Sequence, residues 1–402
     1  MKNILLIMPY GSVGGMERLA LTFYDYYKSI GYTVKAVKII KLPTDIINFG
    51  EDELFMSRLD FAQMTKYNRA LFYLKAPILL RKIIKANKIT HSIAFGDMAN
   101  MFSSLTFTNE FKIASIHALK SVEFSNKTYL NKLFKLGFKS SYFYFDKVVC
   151  ISKAIKKDLI ENCEFKFKNK LEVIYNPHNI NLILDKSTEE IDDHELIYFR
   201  NKTILFLGRL SLQKAPWHLI KAFSLLATKN KDISLLFVGD GDPLVENYCK
   251  ELIHNYALDE RVVFLGRKAN PYKYLTKATV LALSSHYEGT PNVIVESIAL
   301  GVPMVVSNCT DGIIELMSNK DFSGGDELIY TESGIITPNF FEGSLGLPST
   351  YDITKKEVVF SNSLLEVLTN ENYKIILNQN KSDLLSKFDL KKVSENYLQE
   401  ID

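Results

Sequence analysis

Cysteine is scarce in this 402-residue chain: Cys150, Cys163, Cys249 and Cys309, none in a C-x-x-C pair. That excludes a disulfide scaffold and points to free thiols in a reducing cytosol. Long hydrophobic runs are missing as well. No stretch approaches the roughly 18 uncharged apolar residues that a membrane-spanning helix needs. Lys2–Tyr10 starts basic, but its apolar run lasts only about five residues before Pro9. A secretion signal needs a longer one, so a buried strand entering a glycine loop is expected there. Low-complexity tracts are lacking too, and 47% hydrophobic with 12% aromatic residues excludes a disordered chain. The G-x-G-x-x-G dinucleotide fingerprint is absent: Gly11-Ser-Val-Gly14-Gly15 has a different spacing.

What is present is strand–helix alternation at a length that suits two domains. Short apolar runs at Ile4–Met8, Thr33–Ile40, Lys112–His117, Lys147–Ile151 and Leu171–Tyr175 read as strands of a first series. Thr203–Leu207, Ser234–Val238, Val262–Leu265, Thr279–Leu283 and Pro303–Ser307 form a second. Continuous apolar strands between helices predict parallel sheets covered on both faces. The polar, acidic segment Asp185–Asn201 reads as the linker, giving domains 1–184 and 185–383. Each is an α/β doubly wound unit, and two such units facing across a cleft would hold a ligand between them.

The net charge of +3 conceals a division. Residues 1–184 carry 27 Lys and Arg against 15 Asp and Glu, a balance of +12. The remainder carries 22 against 31, a balance of −9. The basic half holds Arg69–Lys88 and Lys127–Lys139, where cations alternate with large apolar residues. Such segments suit an anionic membrane interface, and Pro77 is expected to break the first in two. No nucleic-acid recognition module is visible.

The densest chemistry lies in Ser284–Pro303, S-S-H-Y-E-G-T-P-N-V-I-V-E-S-I-A-L-G-V-P. Glu288 falls in a loop after a strand. Gly289, Thr290 and Pro291 turn the chain, and Asn292–Leu300 reads as a helix stopped by Gly301. Pro291 suits the first helical turn, and the free N–H groups there suit a phosphate. Glu296 lies about one turn further on.

Glu288 and Glu296, with seven residues between them, resemble the E-x7-E motif of the large retaining glycosyltransferase family numbered four. Gly208-Arg209-Leu210-Ser211-Leu212-Gln213-Lys214-Ala215 is similar to that family's G-R-L-x-x-x-K-G segment, with Ala215 in place of the last glycine. Val238-Gly239-Asp240-Gly241-Asp242 is similar to its V-G-x-G turn, and the likeness spans about 185–385.

The resemblance implies the GT-B fold and a set of roles. The last helix, in 384–402, would join the first domain. Arg209 and Lys214 would bind the donor diphosphate and offset the charge that develops as it leaves. Glu296 would accept from the ribose hydroxyls. Glu288 would contact the transferred sugar, as nucleophile or as electrostatic stabiliser. Gly14 and Gly15 would approach the diphosphate, a closeness that glycine permits, and His117 would touch the donor sugar. Gly289, Thr290, Pro291 and Asn292 would complete the donor site. No metal is expected: Asp240-Gly241-Asp242 fits the V-G-x-G turn better than a D-x-D metal clamp. Ser152 reads as a helix N-cap.

The function so implied is transfer of a hexose or N-acetylhexosamine, with retention. The donor would be a UDP-sugar and the acceptor a glycan or polyprenyl-diphosphate-linked lipid, in O-antigen or capsule assembly. Its place would be the cytoplasm, peripheral at the inner face of the membrane. A nucleotide-sugar epimerase and a non-catalytic sugar-nucleotide-binding partner are the other readings.

Overall fold

The computed structural model describes residues 2–11, 15–43, 45–124, 128–320, 327–343 and 345–401. Its contacts divide the chain into two compact units, Met1–His178 with Lys387–Asp402, and Asn179–Ser386.

The first unit is built on β1 (Asn3–Met8), β2 (Thr33–Ile40), β3 (Glu53–Ser57), β4 (His91–Phe95), β5 (Phe111–Ile116), β6 (Lys147–Cys150) and β7 (Leu171–Val173). They pair in the order β3-β2-β1-β4-β5-β6-β7, all parallel. Ile4 to Met8 are wholly buried, as expected for a strand covered on both faces. The order reverses between β1 and β4, the position where doubly wound sheets hold ligands. The last helix, Leu390–Tyr397, packs in this unit. Tyr397 meets the ring of Phe23 at 4.7 Å and lies 3.0 Å from the Ser115 hydroxyl. The Tyr27 hydroxyl donates to the Ser394 carbonyl at 2.8 Å.

The second unit contains β8 (Lys202–Leu207), β9 (Ile233–Val238), β10 (Val262–Gly266), β11 (Val280–Leu283), β12 (Met304–Ser307), β13 (Ile329–Thr331) and β14 (Gly334–Thr337). Their order is β10-β9-β8-β11-β12-β14-β13, parallel except for β13, which runs antiparallel to β14. Ile204, Phe206, Trp217, Phe223, Leu235 and Phe237 lie in its core, fully buried. Each such side chain contributes about 1.5–3 kcal/mol.

One expectation changes. Pro77 does not break its segment, because one helix runs from Lys66 to Ala86 with Pro77 inside it. A proline there costs about 3 kcal/mol. The buried face formed by Ala76, Pro77, Leu80 and Ile84 supplies the compensation. Asp185–Asn201, read as the linker, carries ordered structure. It includes the end of the helix Ile180–Ser187 and a helical turn at Asp193–Leu196. Glu195 in that turn is buried, accepting from Lys268 Nζ and the Tyr274 hydroxyl at 2.5 Å each. Acidity there marks an anchored carboxylate as well as solvated ones.

Candidate active site

In the second unit the loops after β8 and β9 lie against each other. Gly208 N–H donates to the Val238 carbonyl at 3.0 Å, Leu210 N–H to Asp240 O at 3.0 Å, and Asp242 N–H to Leu210 O at 2.8 Å. A Cβ on Gly239 would lie 2.0 Å from Gly208 O, and one on Gly241 2.1 Å from Leu210 O. The glycines of the V-G-x-G turn are therefore required by backbone meeting backbone. The two aspartates beside them have structural partners. Asp242 caps the helix Pro243–Asn255 by accepting from Leu244 N–H at 2.9 Å, and Asp240 pairs with Arg267 Nε at 3.0 Å.

The β8 loop ends at Ala215, the N-cap of the helix Pro216–Lys229, in left-handed geometry (φ 44°, ψ 53°). That conformation costs an L-residue about 1–2 kcal/mol, and it explains why glycine suits this place. Ser284, just past β11, fixes the loop by donating to Ala215 O at 3.0 Å.

Lys214 and Glu288 come together. The Lys214 ammonium pairs with Glu288 Oε1, and the two side chains are only 15% and 8% exposed. Two more side chains hold the carboxylate. Ser285 Oγ donates to Oε1 at 2.8 Å, and Gln213 Nε2 reaches Oε2 at 3.5 Å and the Tyr287 carbonyl at 3.1 Å. The loop backbone is tied down by His286 N–H donating to Gln213 O at 2.8 Å. The Cys309 thiol is pushed up to about 12 by burial and by the Glu288 charge, so it stays protonated and unreactive beside the pair.

Arg209 is exposed on the β8 loop. Gly289 and Thr290 follow Glu288 at the surface, and buried Pro291 is the N-cap (φ −69°, ψ 112°) of the helix Asn292–Leu300. Pro291 thus stands one place ahead of the first turn expected for it, because its ψ is extended. Asn292 is exposed, Glu296 is half-buried in the helix, and Gly301 ends it at φ +69°.

In the first unit, Gly14 lies outside the described residues. Gly15 is the exposed first residue of the helix Gly15–Ser29, with nothing within 4 Å of a Cβ built on it. Packing against the described residues does not demand a glycine there. Gly11 is anchored by a buried ion group the sequence did not reveal. Lys38 Nζ lies 3.2 Å from Asp45 and 2.8 Å from Glu53, and Asp45 Oδ1 accepts from Gly11 N–H at 3.0 Å.

His117 follows β5 with its ring 6.1 Å from that of Phe95. Its Nε2 is sealed from solvent without a hydrogen-bond partner among the described residues. Burial, then the Lys120 ammonium, pushes its pKa down to about 3. His178, packed on Phe388, is pushed down to about 4 by burial. Ser152 is a cap, accepting from Ile155 N–H at 3.1 Å.

These two histidines set a pH dependence. Both are neutral in the fold but take up a proton near pH 6.5 when the chain unfolds. The stability they contribute is complete above pH 6.5 and is lost as pH falls towards about 4 for His178 and about 3 for His117. At pH 5 the loss is about 2 kcal/mol for each. Thermal denaturation should therefore show a lower Tm at pH 5 than at pH 7, and His117→Asn should narrow that gap. A Tm independent of pH over this range would contradict the burial of both rings.

Residues 187–326 match the family Glycosyl transferases group 1. The matched stretch lies within the second unit. An uncharacterised glycosyltransferase of Methanocaldococcus jannaschii is 29% identical over 214 residues, which cover 52% of this chain and 52% of that protein. A Campylobacter jejuni relative is 29% identical over 332 residues, covering 79% of this chain and 84% of its own length. It is named N-acetylgalactosamine-N,N'-diacetylbacillosaminyl-diphospho-undecaprenol 4-alpha-N-acetylgalactosaminyltransferase. Among solved structures, Anabaena HepE in complex with UDP has a TM-score of 0.69 at 18% identity, covering 98% of each chain. The fold of this chain is GT-B, with two Rossmann-like units.

The sequence singled out Lys214 and Glu288 separately, and the fold joins them. Gln213 and Ser285, which hold Glu288, were not recognised as site residues. Their adjacency to the two motif residues is the only signal the sequence offered.

Proposed function

We propose that this glycosyltransferase moves a hexose or N-acetylhexosamine from a UDP-sugar onto a glycan or polyprenyl-diphosphate-linked acceptor. The anomeric configuration is retained, and the product is bacterial surface polysaccharide. The observation that carries the reading is the Lys214–Glu288 pair, steadied by Ser285 and Gln213. It combines a fixed cation suited to a leaving diphosphate with a carboxylate suited to a sugar of oxocarbenium character. The Campylobacter relative, whose name includes a diphospho-undecaprenol acceptor, and the UDP in HepE support these substrate classes.

Within the second unit, Arg209 and Lys214 take the diphosphate, with the N-terminus of the helix Asn292–Leu300 contributing N–H groups. Gly289, Thr290, Pro291 and Asn292 line that end, and Glu296 accepts from the ribose. In the first unit, the family resemblance assigns Gly14 and Gly15 to the donor diphosphate and His117, whose Nε2 has no hydrogen-bond partner among the described residues, to the sugar. No metal takes part, because Asp240 and Asp242 already serve Arg267 and a helix cap. Transfer should therefore persist in excess EDTA, and chelator-sensitive turnover restored by Mg²⁺ or Mn²⁺ would overturn this point.

No helix among the described residues is long and apolar enough to cross a membrane. The helix Lys66–Ala86 has no acidic residue, and it exposes Tyr67, Leu74 and Ile78 beside Lys75, Arg81, Lys82 and Lys85. This face rests on the anionic inner leaflet. The protein should co-sediment with phosphatidylglycerol vesicles in low salt and be released by high salt; equal binding to neutral vesicles would refute an electrostatic contact.

The deciding experiment incubates the protein with UDP-sugars, with and without a polyprenyl-diphosphate-linked glycan. The reading requires acceptor-dependent UDP release and an α-linked product from an α-linked donor. Donor isomerised without acceptor would identify an epimerase, and donor bound but never consumed would identify a binding partner.

A further inference from the structure

Beneath the Glu288 loop, three side chains from separate segments form a hydrogen-bonded line inside the second unit. Glu357, wholly buried, lies in the first turn of the helix Lys355–Thr369, and Thr354 N–H donates to its Oε2 at 2.5 Å. His218, in the first turn of the helix Pro216–Lys229, places Nδ1 2.8 Å from Glu357 Oε1. Its Nε2 lies 2.9 Å from Nε2 of His286, which stands two residues before Glu288. Both rings are clamped. His218 stacks on Phe340 at 4.3 Å and 9°, while His286 packs 5.6 Å from Trp217 and 5.6 Å from Phe341. His286 also holds the loop through its backbone, with N–H on Gln213 O at 2.8 Å and its carbonyl accepting from Asn339 Nδ2 at 3.2 Å.

A carboxylate can only accept, so the proton of neutral His218 resides on Nδ1 and its Nε2 is a lone pair. The Nε2···Nε2 contact then requires the His286 proton on Nε2. His286 Nδ1 is left bare, in agreement with its being buried and without a hydrogen-bond partner among the described residues. Both rings are neutral near pH 7. Burial, with His218 and Lys356 adding to it, pushes His286 down to about 4. His218 is lowered by burial and by Lys221, against the opposing pull of Glu357 and Glu342.

We propose that Glu357, His218 and His286 are positioning residues that set the conformation of the Glu288 loop by fixing one tautomer in each imidazole. The proposal rests on the reading that Glu288 serves sugar transfer. It adds that a carboxylate 139 residues from His218 in sequence controls the geometry of that loop. Glu357→Gln has a single acceptor oxygen where two are needed. With that oxygen kept on Thr354 N–H, its amide NH₂ faces His218 Nδ1 and drives the proton to Nε2. His286 must then carry its proton on Nδ1, where no acceptor stands among the described residues.

The test is ¹⁵N NMR of histidine-labelled full-length protein together with transfer kinetics. The wild type should show His218 protonated on Nδ1 and His286 on Nε2, and Glu357→Gln should reverse both. Glu357→Gln and His286→Asn should each lower kcat by about 10- to 100-fold, the scale of a small misplacement of reacting groups. The KM for the donor should stay unchanged, and the double variant should be no worse than the poorer single one. The opposite tautomers in the wild type, or variants with full kcat, would overturn the proposal. Wild-type protein that transfers no sugar would instead overturn the transfer reading, and the tautomers would then decide the relay independently of turnover.

Discussion

Lys214→Ala is expected to lower kcat by about 10²–10³-fold, the usual cost of removing one fixed group aimed at developing charge. The effect has two sources. The departing diphosphate loses a cation that the fold holds in place without reorganisation. Glu288 loses its ion-pair partner while remaining only 8% exposed, with Ser285 and Gln213 as its remaining donors. Lys214→Arg should restore part of the activity, since the charge is kept but the planar guanidinium cannot reproduce the ammonium's contact. The fold should survive both changes, because the lysine ends a surface loop and contributes little to the core. UDP affinity by calorimetry and turnover by coupled assay check the prediction. Normal values for both in Lys214→Ala would remove the residue from the site.

The second large effect concerns stability. Gly239→Ala is expected to destabilise the protein by about 3 kcal/mol or more, combining backbone strain of about 1–3 kcal/mol with a steric clash. Gly239 has φ +140°, and the added methyl would lie 2.0 Å from the Gly208 carbonyl oxygen. Backbone cannot swing aside as a flexible side chain can. Relief requires parting the loops after β8 and β9, which breaks the hydrogen bonds of Leu210 with Asp240 and Asp242. For a unit of this size, Tm should fall by about 6–12 °C. Donor binding should weaken as well, since the displaced loop carries Arg209 and Lys214. Thermal denaturation of the variant beside wild type checks it, and an unchanged Tm would show that the two loops separate at no cost.

Much of this was legible beforehand for a local reason. Runs such as Ile4–Met8 and Thr203–Leu207 are apolar on both faces, and that property belongs to the run itself. Pairing partners are less local. The antiparallel edge strand Ile329–Thr331 has only three residues, too few for a period to show. Pro77 read as a break because the packing of Ala76, Leu80 and Ile84 that holds its helix together is tertiary. Asp185–Asn201 read as a linker because Glu195 looks like any other acid until Lys268 and Tyr274 are placed beside it.

The site divides in the same way. By itself the sequence determined which residue types stand at the ends of β8, β9 and β11: Arg209, Lys214, the V-G-x-G glycines, Glu288 and Glu296. Local order fixes these, since each lies in the loop or helix that directly follows its strand. Only the tertiary structure decided that Lys214 meets Glu288, that Asp240 and Asp242 are engaged elsewhere, and that Glu357 and two histidines lie beneath the loop. The physical reason is that β8 and β11 become neighbours through the crossover order of the sheet. Contacts between their loops therefore join residues 69 or more apart in sequence, as Ser284 and Ala215 do, and no periodicity along the chain encodes them.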